Sequence, residues 1–236
     1  MNTRHIMISA ALVCAISACK VNDIALYDEA PRLELGGAVS YTFSDEEYLD
    51  AYILGGEGYS ETEFTAQLIG YFLDAPRTFQ VTTNPVASAF TPELVFENPY
   101  EFPTGTATSA AKFRIKCPSR ENVSTRTSTY TGQTDIVYDM SSHDHQFGSG
   151  RIENNAARVN VVLQIYPQDW NSQFWGAYST SKYIFMMETF KAVHGDIEQN
   201  NDSKLQIRSA YNAWKAENGP LYGDDEDSGT EIAFPL

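Results

Sequence analysis

Hydrophobic and polar residues alternate one by one in two segments of the middle of the chain. In KFRIKC, residues 112–117, the residues Phe113, Ile115 and Cys117 take one set of positions and basic residues take the other. In RVNVVLQIY, residues 158–166, aliphatic residues take every second position in the same way. Successive side chains of a strand point to opposite sides, so this period predicts strands with one buried face. Cys117 is therefore predicted to be a small buried side chain rather than a reactive thiol.

Short segments rich in Val, Ile, Tyr, Phe and Thr recur between residues 32 and 167, and clusters of Gly, Pro, Asn and Asp separate them. They are VSYTF, FTAQLIGYFL, RTFQVTT, KFRIKC, DIVYDM and RVNVVLQIYP. Six or more strands without intervening helices favour two stacked antiparallel sheets. The sequence thus predicts a mainly β protein, with an immunoglobulin-like antiparallel β-sandwich over residues 32–167.

The hydrophobic period changes to three and four residues in the last third of the chain. In STSKYIFMMETFKAVHG, residues 179–195, the apolar side chains share one face of a helix. Ser179 or Ser181 would cap the start of this helix and Gly195 would end it.

A second amphipathic segment starts near Asp202 and stops at the Gly219–Pro220 pair. The polar loop DIEQNN joins the two segments, so they are predicted to form a two-helix hairpin. Residues 168–236 are accordingly predicted to be a C-terminal helical region that packs on the sandwich.

The first residues of the chain have the layout of a secretory signal. A polar start with one basic residue precedes thirteen apolar or small residues, which are too few to span a bilayer. The letters ISA stand directly before Cys19 and resemble a bacterial lipobox, in which the chain is cut before the cysteine and the thiol is lipidated. We therefore predict a signal peptide over residues 1–18, lipid attachment at Cys19, a tether over residues 19–31, and loss of Cys14 with the signal. The alternatives are an ordinary cleaved signal with an incidental cysteine, or a buried N-terminal helix.

The formal charge of −15 excludes one class of partner. Nucleic-acid binding depends on Lys and Arg that neutralise phosphates, so we expect no nucleic-acid partner. The basic residues concentrate in AAKFRIKCPSR, and we interpret this cluster and the acidic runs as solvated faces that promote solubility.

Several segments together give the chain a family resemblance. They are the lipobox, LYDEAPRLEL, the β-rich middle, DWNSQFWGAYSTSKYIFM and the ending AWKAENGPLYGDDEDSGTEIAFP. With these segments the chain resembles the domain-of-unknown-function lipoproteins that Bacteroidota encode beside starch-utilisation-type, TonB-dependent outer-membrane importers. FWGAYSTSKYIFM and the GP…EIAFP ending are the most specific parts, and neither is a catalytic motif.

The resemblance implies a lipoprotein of the outer membrane, surface-exposed, that serves an importer of glycans or peptides. Its partners would be the TonB-dependent barrel and the lipoprotein lid of that barrel. The family offers no catalytic residues to carry over. Surface export in this group goes with acidic residues soon after the lipidated cysteine, and CKVND provides only Asp23.

Two polar segments are candidates for metal binding. His143 and His145 would lie on the same side of an extended segment, with Asp144 or Asp139 as an oxygen ligand. Two histidines do not complete a site, and we interpret this segment as a polar loop. Residues 224–227 are consecutive acids without the alternate spacing of an EF-hand, so a solvated turn is favoured there. We therefore predict no metal and no cofactor.

Aromatic residues provide the remaining candidates for contacts. Trp170, Trp175 and Tyr178 gather in DWNSQFWGAY, where the sandwich meets the helices, and Tyr100 lies in the loop FENPYEFPTG. Exposed Trp and Tyr rings bind sugars and peptides well, but the same rings could fill the interface between the two layers. We favour the second interpretation for the junction and expect the Tyr100 loop to be harder to bury.

The leading hypothesis from sequence is a non-catalytic, lipid-anchored accessory or ligand-capturing subunit of an outer-membrane importer. It rests on the lipobox, on the resemblance and on the lack of a nucleophile motif such as Gly-x-Ser-x-Gly. One alternative is a surface hydrolase of glycans or peptides, which would need two carboxylates that converge in a cleft. The other is a purely structural envelope lipoprotein.

Overall fold

The computed structural model describes residues 30–124, 131–152, 155–167, 169–223 and 229–235. The predicted signal peptide, Cys14, Cys19 and the predicted acidic turn at 224–227 lie outside these ranges. Within them, two sheets stack face to face and carry most of the buried apolar residues.

The first sheet has five strands in the order β11-β1-β3-β8-β6. Their bounds are β1 Arg32–Gly36, β3 Tyr59–Ile69, β6 Leu94–Phe96, β8 Thr108–Lys116 and β11 Gly148–Ser149. Neighbouring pairs are antiparallel except β1 and β11, which run parallel.

The second sheet has four strands in the order β2-β12-β10-β5, and a short strand β9 also pairs with β12. Their bounds are β2 Ala38–Phe43, β5 Val81–Pro85, β9 Val123–Ser124, β10 Gly132–Tyr138 and β12 Ala157–Gln164. A separate antiparallel pair consists of β4, Arg77–Phe79, and β7, Tyr100–Phe102.

The strand order confirms the predicted immunoglobulin-like sandwich. Strands β1, β3, β8 and β6 stand in the A-B-E-D order of that fold, and β12, β10 and β5 stand in its G-F-C order. The chain passes from the first sheet to the second at Gly37, whose φ of 78° is readily adopted by glycine. After this turn β2 pairs parallel with β12, so the sandwich is antiparallel except at its edges.

The predicted alternation is confirmed in both segments that suggested it. Phe113, Ile115 and Cys117 are buried in the core, and so are the aliphatic residues of β12 at every second position. The intervening basic residues of β8 face solvent and pair with carboxylates: Lys112 with Glu61, Arg114 with Glu57 and Lys116 with Glu93. The three basic residues of β8 are therefore paired with carboxylates of the same chain.

The C-terminal hairpin is also confirmed, with different helix limits. A short helix α2, Ser172–Trp175, precedes α3, Thr180–Phe190, and α4, Asn201–Asn218. Ser179 caps α3 by accepting a hydrogen bond from the backbone N–H of Lys182. Helix α3 ends at Lys191, which adopts a left-handed conformation, four residues before the predicted Gly195. Helix α4 ends at Gly219 as predicted.

Besides the four-residue α2, a helix near the start of the fold was not predicted. Helix α1, Asp45–Leu49, continues as a wider helical turn over Asp50–Leu54 and connects β2 to β3. Ser44 and Glu47 form a reciprocal capping box at its start, since each side chain binds the backbone N–H of the other. The spacing of Ser44 and Glu47 is the sequence signal that indicates this helix.

The two ends of the sandwich differ in what they carry. The helix end carries α1 and the C-terminal helices, because Glu47 of α1 binds Ser60 near the start of β3 and Tyr183 of α3 binds Asp45. The loop end, about 36 Å away along the eleven residues of β3, carries Pro31 and the connections 70–76, 103–107 and 139–147. The residues from Pro31 onwards form one compact unit. Among the described residues, no helix combines the length and the apolar character needed to cross a membrane.

Candidate functional site

The aromatic residues predicted for the junction lie mostly inside the molecule. Trp175 is 1% exposed and Tyr178 is also buried, while Trp170 is half-buried and donates its indole N–H to the carbonyl of Gly176 at 2.9 Å. The ring of Trp170 contacts that of Tyr178 edge to face at 5.3 Å. Trp175 and Tyr178 are therefore core residues, as the favoured interpretation of the junction expected, and their rings do not form an exposed contact surface.

Tyr100 is also buried, which differs from the exposed loop expected there. Its segment forms strand β7, which pairs with β4, so its ring stacks on Phe79 at 5.5 Å and meets Phe64 edge to face at 5.7 Å. Its hydroxyl donates to the carbonyl of Lys112 at 2.5 Å and accepts from the N–H of Glu97 at 3.1 Å. Tyr100 is a core residue whose polar group is satisfied by the backbone.

Lys182 of α3 is the most deeply buried cation in the part of the chain that the structure describes, at 2% exposure. Its ammonium donates to three backbone carbonyls: Trp175, Ala177 at 3.0 Å and Ala233 at 2.7 Å. The ring of Phe234 lies 5.0 Å from the same nitrogen. Lys182 thereby joins the two most specific segments of the family resemblance, FWGAYSTSKYIFM and the EIAFP ending. In this structure, these segments serve to hold the C-terminal residues on the helices.

His145 and His143 are on the connection that follows β10. His145 is half-buried, its Nδ1 accepts from the N–H of Gln80 at 3.4 Å, and burial lowers its pKa below the ordinary value. His143 is exposed, and the carboxylate of Asp144 accepts from the side chain of Gln80 instead of facing the histidines. Among the described residues, no three His, Cys, Asp or Glu side chains converge as a metal site would require.

A pair that sequence reasoning did not find is formed by His194 and Asp169. His194 is buried, and its Nδ1 lies 3.1 Å from Oδ1 of Asp169. An Asp–His pair supplies two of the three residues of a hydrolase triad, and the third residue, the nucleophile, would have to lie within hydrogen-bond distance of Nε2 of the histidine. In the described part of the chain Nε2 has no hydrogen-bond partner and no exposure to solvent, so no substrate reaches it in this conformation.

An acidic pocket of about 390 Å³ lies beside α1 and includes Glu46, Glu47, Asp50 and Glu57. Burial raises the pKa of Glu47, but hydrogen bonds from Tyr41, Ser44 and Ser60 outweigh it and hold that pKa below the ordinary value. A glycosidase needs a carboxylic acid with a raised pKa as its proton donor. Glu47 has the opposite shift and acts as the acceptor at the centre of a structural hydrogen-bond network.

A cavity with a volume of about 670 Å³ lies next to β10, towards the loop end. We call it the β10 cavity. After β10, the chain pairs with β1 as strand β11 and then enters β12. Residues 149–152 of this connection form one wall of the cavity. Asn84 and Tyr138 form part of the opposite wall, and the exposed side chains of Met140 and Ile152 stand at the rim.

Most polar groups of this cavity already have partners within the chain. Arg151 binds Glu34 at 3.4 Å, Asp135 is paired with Arg158, and the side chain of Asn155 binds the backbone of Leu35.

One polar side chain of the cavity wall, that of Asn84, is exposed. The hydroxyl of Tyr138 is buried without a hydrogen-bond partner in the described residues and without exposure to solvent, so a ligand does not reach it in this conformation. Burial raises the pKa of Tyr138, so this hydroxyl stays protonated. A few polar groups among apolar side chains are typical of ligand sites.

Comparison with known proteins gives only distant structural similarities. No family model matches the chain, and no curated protein matches it. Among solved structures, the apo form of the Calx CBD1 domain is similar with 13% identity and a TM-score of 0.31, over 57% of this chain and 98% of that one. The SrpA adhesin R347E mutant from Streptococcus sanguinis is similar with 10% identity and a TM-score of 0.33, over 85% and 86%. CBD12 from CALX1.2 shares 14% identity at a TM-score of 0.32, over 56% of this chain and 44% of that one. The immunoglobulin-like topology is established by the strand pairing of the chain itself and does not depend on these similarities.

Proposed function

We propose that this protein is a non-catalytic lipoprotein of the bacterial outer membrane that captures glycan or peptide ligands for a TonB-dependent importer. The observation that carries the capture role is the β10 cavity, whose volume lies in the usual range for ligand sites. The lipobox before Cys19 supports the anchor, and the family resemblance supports the importer as partner.

The arrangement of polar groups favours binding over turnover. The ionised side chains of the β10 cavity already have partners, since Arg151 binds Glu34 and Asp135 binds Arg158, and the exposed amide of Asn84 is a neutral hydrogen-bonding group. Neutral groups of this kind orient a ligand without supplying a nucleophile. The acidic pocket next to α1 offers no support for the hydrolase alternative at Glu47, since the pKa of this residue is lowered.

Capture is tested by screening the detergent-solubilised lipidated protein against glycan and peptide panels, followed by titration calorimetry on the best ligand. Asn84→Ala removes one hydrogen-bonding group and is expected to weaken binding about tenfold, while Ala156→Phe fills the cavity and is expected to abolish binding. Asn212→Ala, on an exposed position of α4, is the matched control and should bind like the parent. An empty screen, or binding that neither cavity variant changes, would refute the capture role.

The anchor and the partner are tested separately. Labelled palmitate should enter the parent protein and not the Cys19→Ala variant. The importer, purified from detergent-solubilised outer membranes, should contain this protein, and its absence from the purified complex would remove the subunit role.

A further inference from the structure

An aromatic pair projects into solvent from the connection between β3 and β4. Tyr71 is 73% exposed and Phe72 is 61% exposed, whereas the next residue, Leu73, is buried in the core. Leu73 therefore fixes the base of the connection and leaves the two rings at its tip. Among the exposed large apolar side chains of the described residues, these two are the only sequence neighbours. Exposed apolar groups that adjoin each other mark interaction surfaces more reliably than single ones.

The pair lies at the end of the sandwich where the chain enters from its N-terminal side. Arg32, the first residue of β1, pairs with Ile69, two residues before Tyr71. The carbonyl of Pro31 accepts a hydrogen bond of 3.0 Å from the N–H of Gly148 at the same end. The chain that connects Cys19 to the fold is therefore attached beside the aromatic pair.

The tether alone does not fix the orientation of the sandwich. Eleven residues separate Cys19 from Pro31, and the twelve steps between the two residues can extend to about 40 Å, which is comparable with the length of the sandwich. A second contact with the bilayer would select one orientation. Tyrosine suits this role because Tyr and Trp rings concentrate at the level of the lipid headgroups, and phenylalanine adds apolar area that enters the boundary between headgroups and acyl chains.

We propose that Tyr71 and Phe72 insert into the headgroup region of the bilayer that holds the Cys19 lipid, so that the loop end faces the membrane. This inference rests on the proposed lipid anchor. The neighbouring Asp74 is exposed and would be repelled by an anionic surface, so the favoured surface consists of zwitterionic lipids. In this orientation the C-terminal helices lie about 36 Å further from the bilayer, at the opposite end of β3.

The test uses the full-length lipidated protein in vesicles of phosphatidylcholine and phosphatidylethanolamine that contain a headgroup spin-labelled lipid. An environment-sensitive fluorophore is attached through Phe72→Cys, and Leu205→Cys on α4 is the matched control with 62% exposure. Cys117 is buried and does not compete for the label. The label at residue 72 should shift to the blue and lose roughly half of its emission to the quencher, while the label at residue 205 should change little.

A further variant tests the cooperation of the two rings. Tyr71→Ser in the Phe72→Cys background should reduce the quenching, because one of the two inserting groups is lost. Equal quenching at residues 72 and 205, or no quenching at residue 72 in protein that floats with the vesicles, would overturn the insertion and leave the anchor intact. Protection of residue 72 from soluble iodide without lipid quenching would show a protein partner on the pair and would also overturn it. If the parent protein fails to float, as Cys19→Ala is expected to, the anchor itself is refuted and the insertion falls with it.

Discussion

Replacing Lys182 by methionine is expected to release the C-terminal segment from the helices. Methionine keeps an unbranched apolar stem and is one heavy atom shorter than lysine, so the substitution removes the ammonium without opening a large cavity. The carbonyls of Trp175, Ala177 and Ala233 then lose their common donor. Ala233 belongs to residues 229–235, which also reach α4 through the hydrogen bond from Tyr211 to Glu231 at 2.9 Å.

The magnitude follows from the three hydrogen bonds and the charge. A hydrogen bond to a charged group contributes about 1.5 to 3 kcal/mol, so three of them contribute roughly 4 to 9 kcal/mol. Removing a buried ammonium recovers several kcal/mol of desolvation energy. The difference between these two opposing effects is an expected net loss of about 3 kcal/mol in the free energy of unfolding. This loss is a large fraction of the stability of a domain.

Urea unfolding followed by tryptophan fluorescence measures this loss. With a slope of about 3 kcal/mol/M, the midpoint should fall by roughly 1 M. Lys116→Met is the control, since Lys116 is on the surface and pairs there with Glu93; its midpoint should stay near that of the parent. A Lys182→Met midpoint equal to that of the parent would show that the three carbonyls find other partners and that Lys182 does not hold the segment.

Two further predictions concern a half-buried carboxylate and a buried thiol at the helix end. Hydrogen bonds hold the pKa of Glu47 below its ordinary value of 4.5, so its contribution to stability is present above about pH 4.5 and is lost as the pH falls through the lowered pKa. Glu47→Gln should therefore be less stable than the parent at pH 7 and should lose less stability on acidification, as measured by urea unfolding at several pH values. The control Glu46→Gln, at an exposed position, should follow the parent. Parallel acid profiles for Glu47→Gln and the parent would contradict this prediction. Burial raises the pKa of Cys117 to about 12, so iodoacetamide should label this thiol at pH 8 only after the protein unfolds. Mass spectrometry of the peptide that contains Cys117 measures the labelling, and rapid labelling of the native protein would contradict the prediction.

The period of the hydrophobic residues was sufficient to predict the elements that bury one face. Strands β8 and β12 and helices α3 and α4 each place apolar residues at the spacing of their own geometry, so the pattern along the chain indicates both the element and its inner face. Short strands such as β6, with three residues, contain too few positions for a period to be detected. The end of α3 was misplaced because Lys191 takes a left-handed conformation that usually favours glycine.

The aromatic residues show where local reasoning stops. Tyr100 lies in a segment rich in proline and polar residues, which favoured an exposed loop, yet its pairing with β4 brings the ring onto Phe79. Tyr71 and Phe72 follow the apolar run of a strand and were included in it, yet the strand ends at Ile69 and both rings face solvent. Pairing partners and strand ends depend on residues that are distant in sequence, and no local pattern contains them.

By itself, the sequence determined the fold class of this protein, because the period of the apolar residues along the chain indicates both the type of each element and the face that it buries. It also provided the resemblance to a lipobox before Cys19, which is a linear motif and depends on no fold. The tertiary structure decided which polar and aromatic groups are available. The ammonium of Lys182 donates to three backbone carbonyls, and residues from distant strands line the β10 cavity. Tyr71 and Phe72 lie beside the point where the chain enters the sandwich. These arrangements depend on contacts between residues far apart in the chain, which are fixed only when the sheets and helices pack together.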